Sequence, residues 1–233
     1  MRKRILLGVT LVAVMSLAAG CRAGPAALTL GGAPWQGDEA ARYDILDREG
    51  NRVGTATFSV AREGESWALS EADEAGEIRQ SSRVLVDATT LRPLRGHKEI
   101  IAPGTEATVE YTYSGDEVDI NALVNGEERS AAVKVSRNIL DNDQLLMTLR
   151  AIPFAEGYEA ATLLIVPANA LRINTTVRVQ GREKVEVPAG TFEGWRVELD
   201  FGQSKQQVWY EVEPPHRMLQ YDNGAQRLVL LAD

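Results

Sequence analysis

From residue 41 onward apolar residues recur at every second position, a period that suits an extended chain with one dry face. Residues 171–180 show it most plainly. Leu171, Ile173, Val177 and Val179 share one face with Thr175, while Arg172, Asn174, Thr176, Arg178 and Gln180 share the other. Trp195, Val197, Leu199 and Phe201 alternate with Arg196, Glu198 and Asp200; Val109, Tyr111 and Tyr113 alternate with Glu110 and Thr112. Strands with one dry and one wet face belong to antiparallel sheets.

Turn residues fall between these runs at hairpin spacing: Glu49-Gly50-Asn51, Arg62-Glu63-Gly64, Ala75-Gly76, Ser114-Gly115-Asp116, Asn125-Gly126 and Asp222-Asn223-Gly224. Asn125-Gly126 is the strongest signal, because a two-residue type I′ turn needs positive φ at both positions. The expectation is an all-β domain over 41–233, a meandering antiparallel β-barrel or half-barrel of roughly ten to twelve strands. A flat sheet of that size would leave long unpaired edges. Two continuous apolar runs, Ala160–Val166 and Leu228–Leu231, need cover on both faces.

One segment departs from the two-residue period. Asp141, with Gln144 three residues later, has the form of a capping box ahead of Leu145, Leu146, Met147 and Leu149, and Pro153 limits the far end. This predicts one short helix of about 8 to 10 residues, placed to plug a barrel mouth or to lie across the open side of a curved sheet. Asp141 and Asp143 suggest a calcium loop only superficially, since the glycine and late glutamate of such loops are missing.

The N-terminus has a different character. Arg2, Lys3 and Arg4 precede the 13-residue apolar run Ile5–Leu17, then small residues lead to Cys21. That is the order of a secretory signal, and the run is too short to span a bilayer as a helix. Leu17-Ala18-Ala19-Gly20-Cys21 resembles the lipobox of bacterial lipoproteins. The resemblance implies a signal peptide over 1–20, cleavage between Gly20 and Cys21, and thioether-linked diacylglycerol with an N-acyl chain such as palmitate on Cys21. Two or more acyl chains anchor stably. The protein would then sit in the cell envelope with its domain on the periplasmic or extracellular side.

Composition supports an exported protein. Cys21 is the only cysteine, so no intramolecular disulfide can form. Loss of residues 1–20 removes Arg2, Lys3 and Arg4 and no acid, taking the formal charge from −8 to −11. Such a surface repels nucleic acid. Residues 21–40 read as a flexible tether, broken by Gly24-Pro25 and Gly31-Gly32-Ala33-Pro34. Trp35 is expected to fold back onto the domain, with a dip into the bilayer interface as the alternative.

Three further stretches, Thr90-Leu91-Arg92-Pro93, Val187-Pro188-Ala189-Gly190-Thr191-Phe192 and Val208-Trp209-Tyr210, together resemble a group of bacterial exported domains known only as a domain of unknown function. The likeness spans most of 41–231. It implies a meandering barrel or half-barrel similar in shape to lipoprotein-carrier and lipocalin-like proteins, which hold apolar ligands. It carries over no catalytic residue and bears on fold alone.

The residues that could do chemistry are few. His97 and His216 are the only histidines, and no serine stands in a nucleophile-elbow context, so a catalytic triad is not expected. Glu211, Glu213 and His216 could in principle ligate zinc, but a charged strand edge with a histidine at a hairpin end explains them better, and no metal or cofactor is expected. Leu145, Leu146, Leu149, Phe154, Tyr111, Tyr113, Trp195, Phe201 and Trp209 are the candidates for lining an interior pocket, against core packing as the plain explanation. The function expected first is a non-enzymatic, membrane-anchored envelope lipoprotein that binds an apolar or amphiphilic small molecule or lipid. A structural lipoprotein that binds another envelope protein comes second, and a hydrolase or metal-dependent enzyme third.

Overall fold

The computed structural model describes residues 24–136 and 138–232. Its strands in chain order are β1 (Ala26–Ala27), β2 (Glu39–Leu46), β3 (Arg52–Glu63), β4 (Ser66–Ala75), β5 (Ile78–Asp87), β6 (Pro93–Ala102), β7 (Thr105–Ser114), β8 (Glu117–Val124) and β9 (Glu127–Lys134). After β10 (Ile139–Asp141) comes a helical segment, then β11 (Glu159–Val166), β12 (Leu171–Val187), β13 (Gly190–Asp200), β14 (Lys205–Glu211), β15 (Met218–Asp222) and β16 (Arg227–Leu230). All belong to one sheet, ordered β1-β11-β12-β13-β14-β15-β16-β2 and on through β9, with β10 beside β11. Two antiparallel meanders are thus joined where the last strand pairs with β2, Leu228 opposite Ile45 and Leu230 opposite Tyr43.

The all-β, barrel-like architecture is as the alternation predicts, but sixteen strands exceed the expected ten to twelve. The extra strands have a physical signature. β1, β10, β15 and β16 are two to five residues long, too short to show a period. β9, Glu-Glu-Arg-Ser-Ala-Ala-Val-Lys, is a largely exposed edge strand whose apolar residues are confined to its second half; its charges discourage pairing with another chain. Leu171, assigned above to a dry face, is exposed at the start of β12.

The turns follow their chemistry. Asn125 and Gly126 both adopt positive φ, 51° and 82°. Pro188-Ala189 forms the turn between β12 and β13, and Gly190 after it takes φ 137°.

Among the described residues the two ends of the sheet do not pair with each other. Instead the connection from β9 to β11 runs through the concave side, and its residues form a 3₁₀ turn (Asn142–Gln144), the four-residue helix α1 (Leu145–Thr148) and a second 3₁₀ turn (Leu149–Ala151). The expected single helix is therefore split. Asp141 caps as expected, its carboxylate accepting from the Asp143 amide at 2.8 Å. Gln144 does not complete the box; wholly buried, it donates to the Leu91 carbonyl and to Thr148 Oγ1, both at 3.0 Å. Leu145, Met147, Leu149 and Ile152 join the main core with Tyr43, Phe58, Leu69, Val84, Val177, Val197 and Tyr210. A second cluster seals the open seam: Val109, Tyr111, Val118 and Ile120 of β7 and β8 pack on Ile139 and Ile165 of β10 and β11.

The segment expected to be a tether is partly docked. Ala26 and Ala27 pair in parallel with Ala160 and Ala161, and the Gly31 amide donates to the Ala151 carbonyl at 2.7 Å. Trp35 is 3% exposed and meets Trp67 edge-to-face at 5.8 Å. It plugs the domain. The expected signal peptide over 1–20 and the expected cleavage and lipidation site at Gly20 and Cys21 lie outside the described residues.

Gly96 makes a tight cross-strand fit beside the seam residue Tyr111. It pairs with Tyr111, and a Cβ at Gly96 would overlap the Tyr111 ring. Tyrosine laid over a strand glycine fixes register. Gly96→Ala is expected to lower the unfolding free energy by about 1–3 kcal/mol in urea denaturation; a loss within the scatter of the measurement would mean that the ring moves freely.

Candidate functional site

The concave face holds two neighbouring cavities, divided by Phe58 and Leu146. The first, about 290 Å³, has an apolar floor of Tyr43, Phe58, Val60, Leu146, Met147 and Met218. Its polar wall is Glu39, Arg150, Glu211 and Arg217. The second, about 360 Å³, is walled by Leu145, Ile173, Phe201 and Tyr221 with Glu71 and Asp143 among them. Both are near the small end of ligand pockets, roughly 300–1,000 Å³.

Alternation sets the floor of the first cavity. Phe58 and Val60 are inward positions of β3, Tyr43 of β2 and Met218 of β15. The Tyr43 hydroxyl donates to the Met218 carbonyl at 2.9 Å, and its ring meets Phe58 edge-to-face at 5.4 Å. Burial pushes the Tyr43 hydroxyl well above the ordinary phenol range, so it stays protonated.

Arg150 is the unexpected element, a cation only 6% exposed within an otherwise oily segment. Its Nε donates to the Pro215 carbonyl at 3.0 Å and its Nη1 to Glu39, while its guanidinium lies 5.7 Å from the Trp35 ring centre. Nη2 is buried without a partner. Arg217 repeats the arrangement: Nη2 donates to Glu211 at 2.9 Å, and Nε is buried and unpartnered. A buried donor left unsatisfied costs about 1–3 kcal/mol, so two of them beside one cavity call for an acceptor. Sequence reasoning missed both arginines. The signal was present in Arg150, a lone cation inside the run Leu145–Ile152.

A second polar group closes the seam. Tyr113 of β7 donates to Asp141 Oδ2 at 2.5 Å, and Lys98 of β6 donates to Asp143 Oδ1 at 2.7 Å. Asp141 is wholly buried; desolvation, with the neighbouring Asp143 charge, raises its pKa to about 7. Burial likewise raises Glu71 well above the carboxylate range, helped by Asp73, and raises Asp73. Burial alone would lower Lys98, but the Asp143 carboxylate overrides it and holds the ammonium above its usual value.

The residues expected to line a pocket are dispersed. Leu145, Leu146 and Phe201 come together at the second cavity, and Leu146 also reaches the first. Leu149 is wholly buried in the core. Tyr111 and Tyr113 pair edge-to-face at 6.0 Å in the seam. Phe154 stacks on Trp195 at 6.1 Å and contacts Tyr210 and His216, an aromatic nest outside both cavities. Trp209 stands on the opposite face of the sheet from Trp195, because Trp195 pairs with Tyr210 and Trp209 with Arg196. Its indole nitrogen donates to Glu183 at 2.5 Å.

Of the zinc candidates, Glu211 is engaged by Arg217, and the His216 ring nitrogen Nδ1 lies 3.0 Å from the Glu211 carbonyl. Among the described residues no group of three or more His, Cys, Asp or Glu side chains is arranged to hold a metal ion. His97 is exposed beside Glu99 and Glu110.

A sheet curled around a helical plug, with cavities on its concave side, defines a barrel-like β protein. The chain belongs to the family described as Protein of unknown function (DUF3108), whose sequence profile matches residues 41–230. No curated protein matches it. Among solved structures it is similar to a β-barrel-like protein of the domain of unknown function DUF1849 from Brucella abortus. That likeness has a TM-score of 0.52 at 12% identity, over 83% of this chain and 95% of the other. Weaker likenesses are to a protein from Parabacteroides distasonis assigned as a lipoprotein (TM-score 0.33, 12% identity, 88% and 98% covered) and one from Bacteroides fragilis assigned as exported, with a YmcC-like fold (0.29, 10%, 88% and 98%).

The raised Asp141 gives a pH signature. An acid whose pKa rises on folding takes up a proton as it folds, so its unfavourable contribution is absent below about pH 4 and complete above about pH 7. Unfolding free energy should fall between those limits, with a slope approaching ~1.4 kcal/mol per pH unit if one proton is taken up. Asp141→Asn keeps a capping oxygen and should flatten that slope in denaturant melts at pH 5 and 7.5. An unchanged slope would exclude Asp141 as its source.

Proposed function

We propose that this protein is a non-enzymatic envelope lipoprotein, anchored through acyl chains on Cys21, that holds an apolar or amphiphilic ligand within its curled sheet. The observation that carries the reading is the apolar-floored cavity around Leu146, with a second opening directly beyond it. A ligand there gains from buried apolar area at roughly 25 cal/mol per Å², and the few polar groups at one end give it an orientation. The polar clusters act as braces: the acids tie the plug across the seam. The N-terminal leader and lone cysteine supply the argument for the anchor. No described helix is long and apolar enough to cross a membrane.

A scaffold that binds another envelope protein has one observation in its favour. Val53, Ile78, Ile101 and Leu123 are exposed beside the hairpin turns at a single rim of the sheet.

Two measurements separate these readings. Leu146→Trp places bulk between the two cavities and should weaken uptake of the apolar dye phenylnaphthylamine about tenfold or more, with the fold retained by circular dichroism. Dye uptake equal to that of the parent protein would favour the scaffold. In cells fed an alkyne-tagged fatty acid, Cys21→Ser should abolish labelling and release the protein from the membrane fraction. Persistent labelling would disprove the anchor.

A further inference from the structure

We propose that the polar end of the first cavity reads an acyl oxygen: Arg150 Nη2 and Arg217 Nε donate to the carbonyl or carboxylate of a fatty-acyl chain whose tail lies over Phe58, Leu146 and Met147. The proposal rests on the ligand-binding reading above and names the class of ligand.

The argument is one of complementarity. Four charged residues line this cavity, and they are two arginines and two glutamates. Each glutamate takes one arginine nitrogen, Glu39 that of Arg150 and Glu211 that of Arg217. The Tyr43 hydroxyl is already spent on the Met218 carbonyl. The polar atoms left buried without partners at this wall, Arg150 Nη2 and Arg217 Nε, are both donors. A guest with acceptor oxygens satisfies both, whereas an amine head would leave both unpaired. Because the two ion pairs cancel in charge, a doubly charged phosphate would meet no net positive field to balance it. A carbonyl or a single carboxylate is the better match. Arg150 is held rigidly for the task, braced by Glu39, the Pro215 carbonyl and the Trp35 ring, and a planar fork fixed in place orients an acceptor better than a mobile ammonium does. The remainder of the wall is apolar, as an acyl tail requires.

The test uses the full chain carrying Cys21→Ser, with cis-parinaric acid and its methyl ester as fluorescent probes and phenylnaphthylamine as a headless control. Arg150→Lys/Arg217→Lys keeps both charges and both glutamate partners but removes the two free donors. It should bind parinaric probes about tenfold more weakly than the parent, with phenylnaphthylamine binding unchanged. Arg217→Lys alone, made at the less buried of the two positions, should show part of the loss and provides the readout if the double variant does not fold. In the parent, binding of acid and ester alike points to acyl esters, and preference for the acid points to free fatty acids; both agree with the proposal. Undiminished parinaric binding in the variants overturns it and leaves the cavity reading standing. Failure of the parent to take up any of the three probes overturns both.

Discussion

The inner face of this sheet is oily along most of its length, and among the described residues the two ends of the sheet share no strand pairing. A closed barrel covers such a face by pairing its first strand with its last. Here the chain instead passes its own connection, described over residues 138–158, through the concavity. That segment does three jobs: β10 extends the edge of β11, the helical turns fill the centre, and the side chains of Ile139 and its neighbours seal the seam against β7 and β8. A plug this short cannot fill the space uniformly. Four residues of α-helix between two 3₁₀ turns leave room on either side of Leu146, and the two cavities lie there. The cavities follow from how the sheet is closed.

The polar groups have the same origin. Where the plug crosses the seam, its backbone leaves the sheet ladder and needs new partners. Asp141 supplies a cap, and Asp141 and Asp143 together reach Tyr113 and Lys98 on the facing strands. Buried carboxylates are unfavourable unless paired, and one lysine for this group of acids is a thin supply of countercharge. The raised protonation of Asp141, Glu71 and Asp73 relieves the shortfall. Arg150 plays the matching part at the other end of the plug, gathering Glu39, the Pro215 carbonyl and Trp35 around one guanidinium. It adds a side-chain tie to the backbone bonds that hold the N-terminal segment at Ala26, Ala27 and Gly31.

How much of this was legible depends on how local each feature is. The type I′ turn at Asn125-Gly126, the cap at Asp141 and the inward Trp195, Val197 and Leu199 are each fixed by a few adjacent residues. Alternation or turn chemistry exposes them directly. Trp209 was misplaced because alternation says which residues share a face within one strand and cannot say which face of a neighbouring strand matches it. The register from β13 to β14 decides that, and it sets Trp209 opposite Arg196. The same limit hid the short strands, whose existence depends on partners far away in sequence. Gln144 follows the rule: as a local capping residue it would have turned back on Asp141, but a buried carbonyl at Leu91 competes for it and wins.

Where local rules and the folded arrangement conflict, function is the usual reason. Most of this molecule is consistent at every level: strands alternate, turns carry the residues they need, and the edge strand is charged. The conflicts gather in one region. A cation sits in an oily run, two guanidinium nitrogens are buried without acceptors, and carboxylates are buried with little countercharge, all on or beside the plug and its cavities. The carboxylates brace the plug, but the two unpartnered guanidinium nitrogens brace nothing, and an apolar replacement of similar volume is often neutral or stabilising at such positions. Their concentration around the space beside Leu146, away from the outer wall and its hairpins, is the physical ground for placing the work of the protein on its concave side.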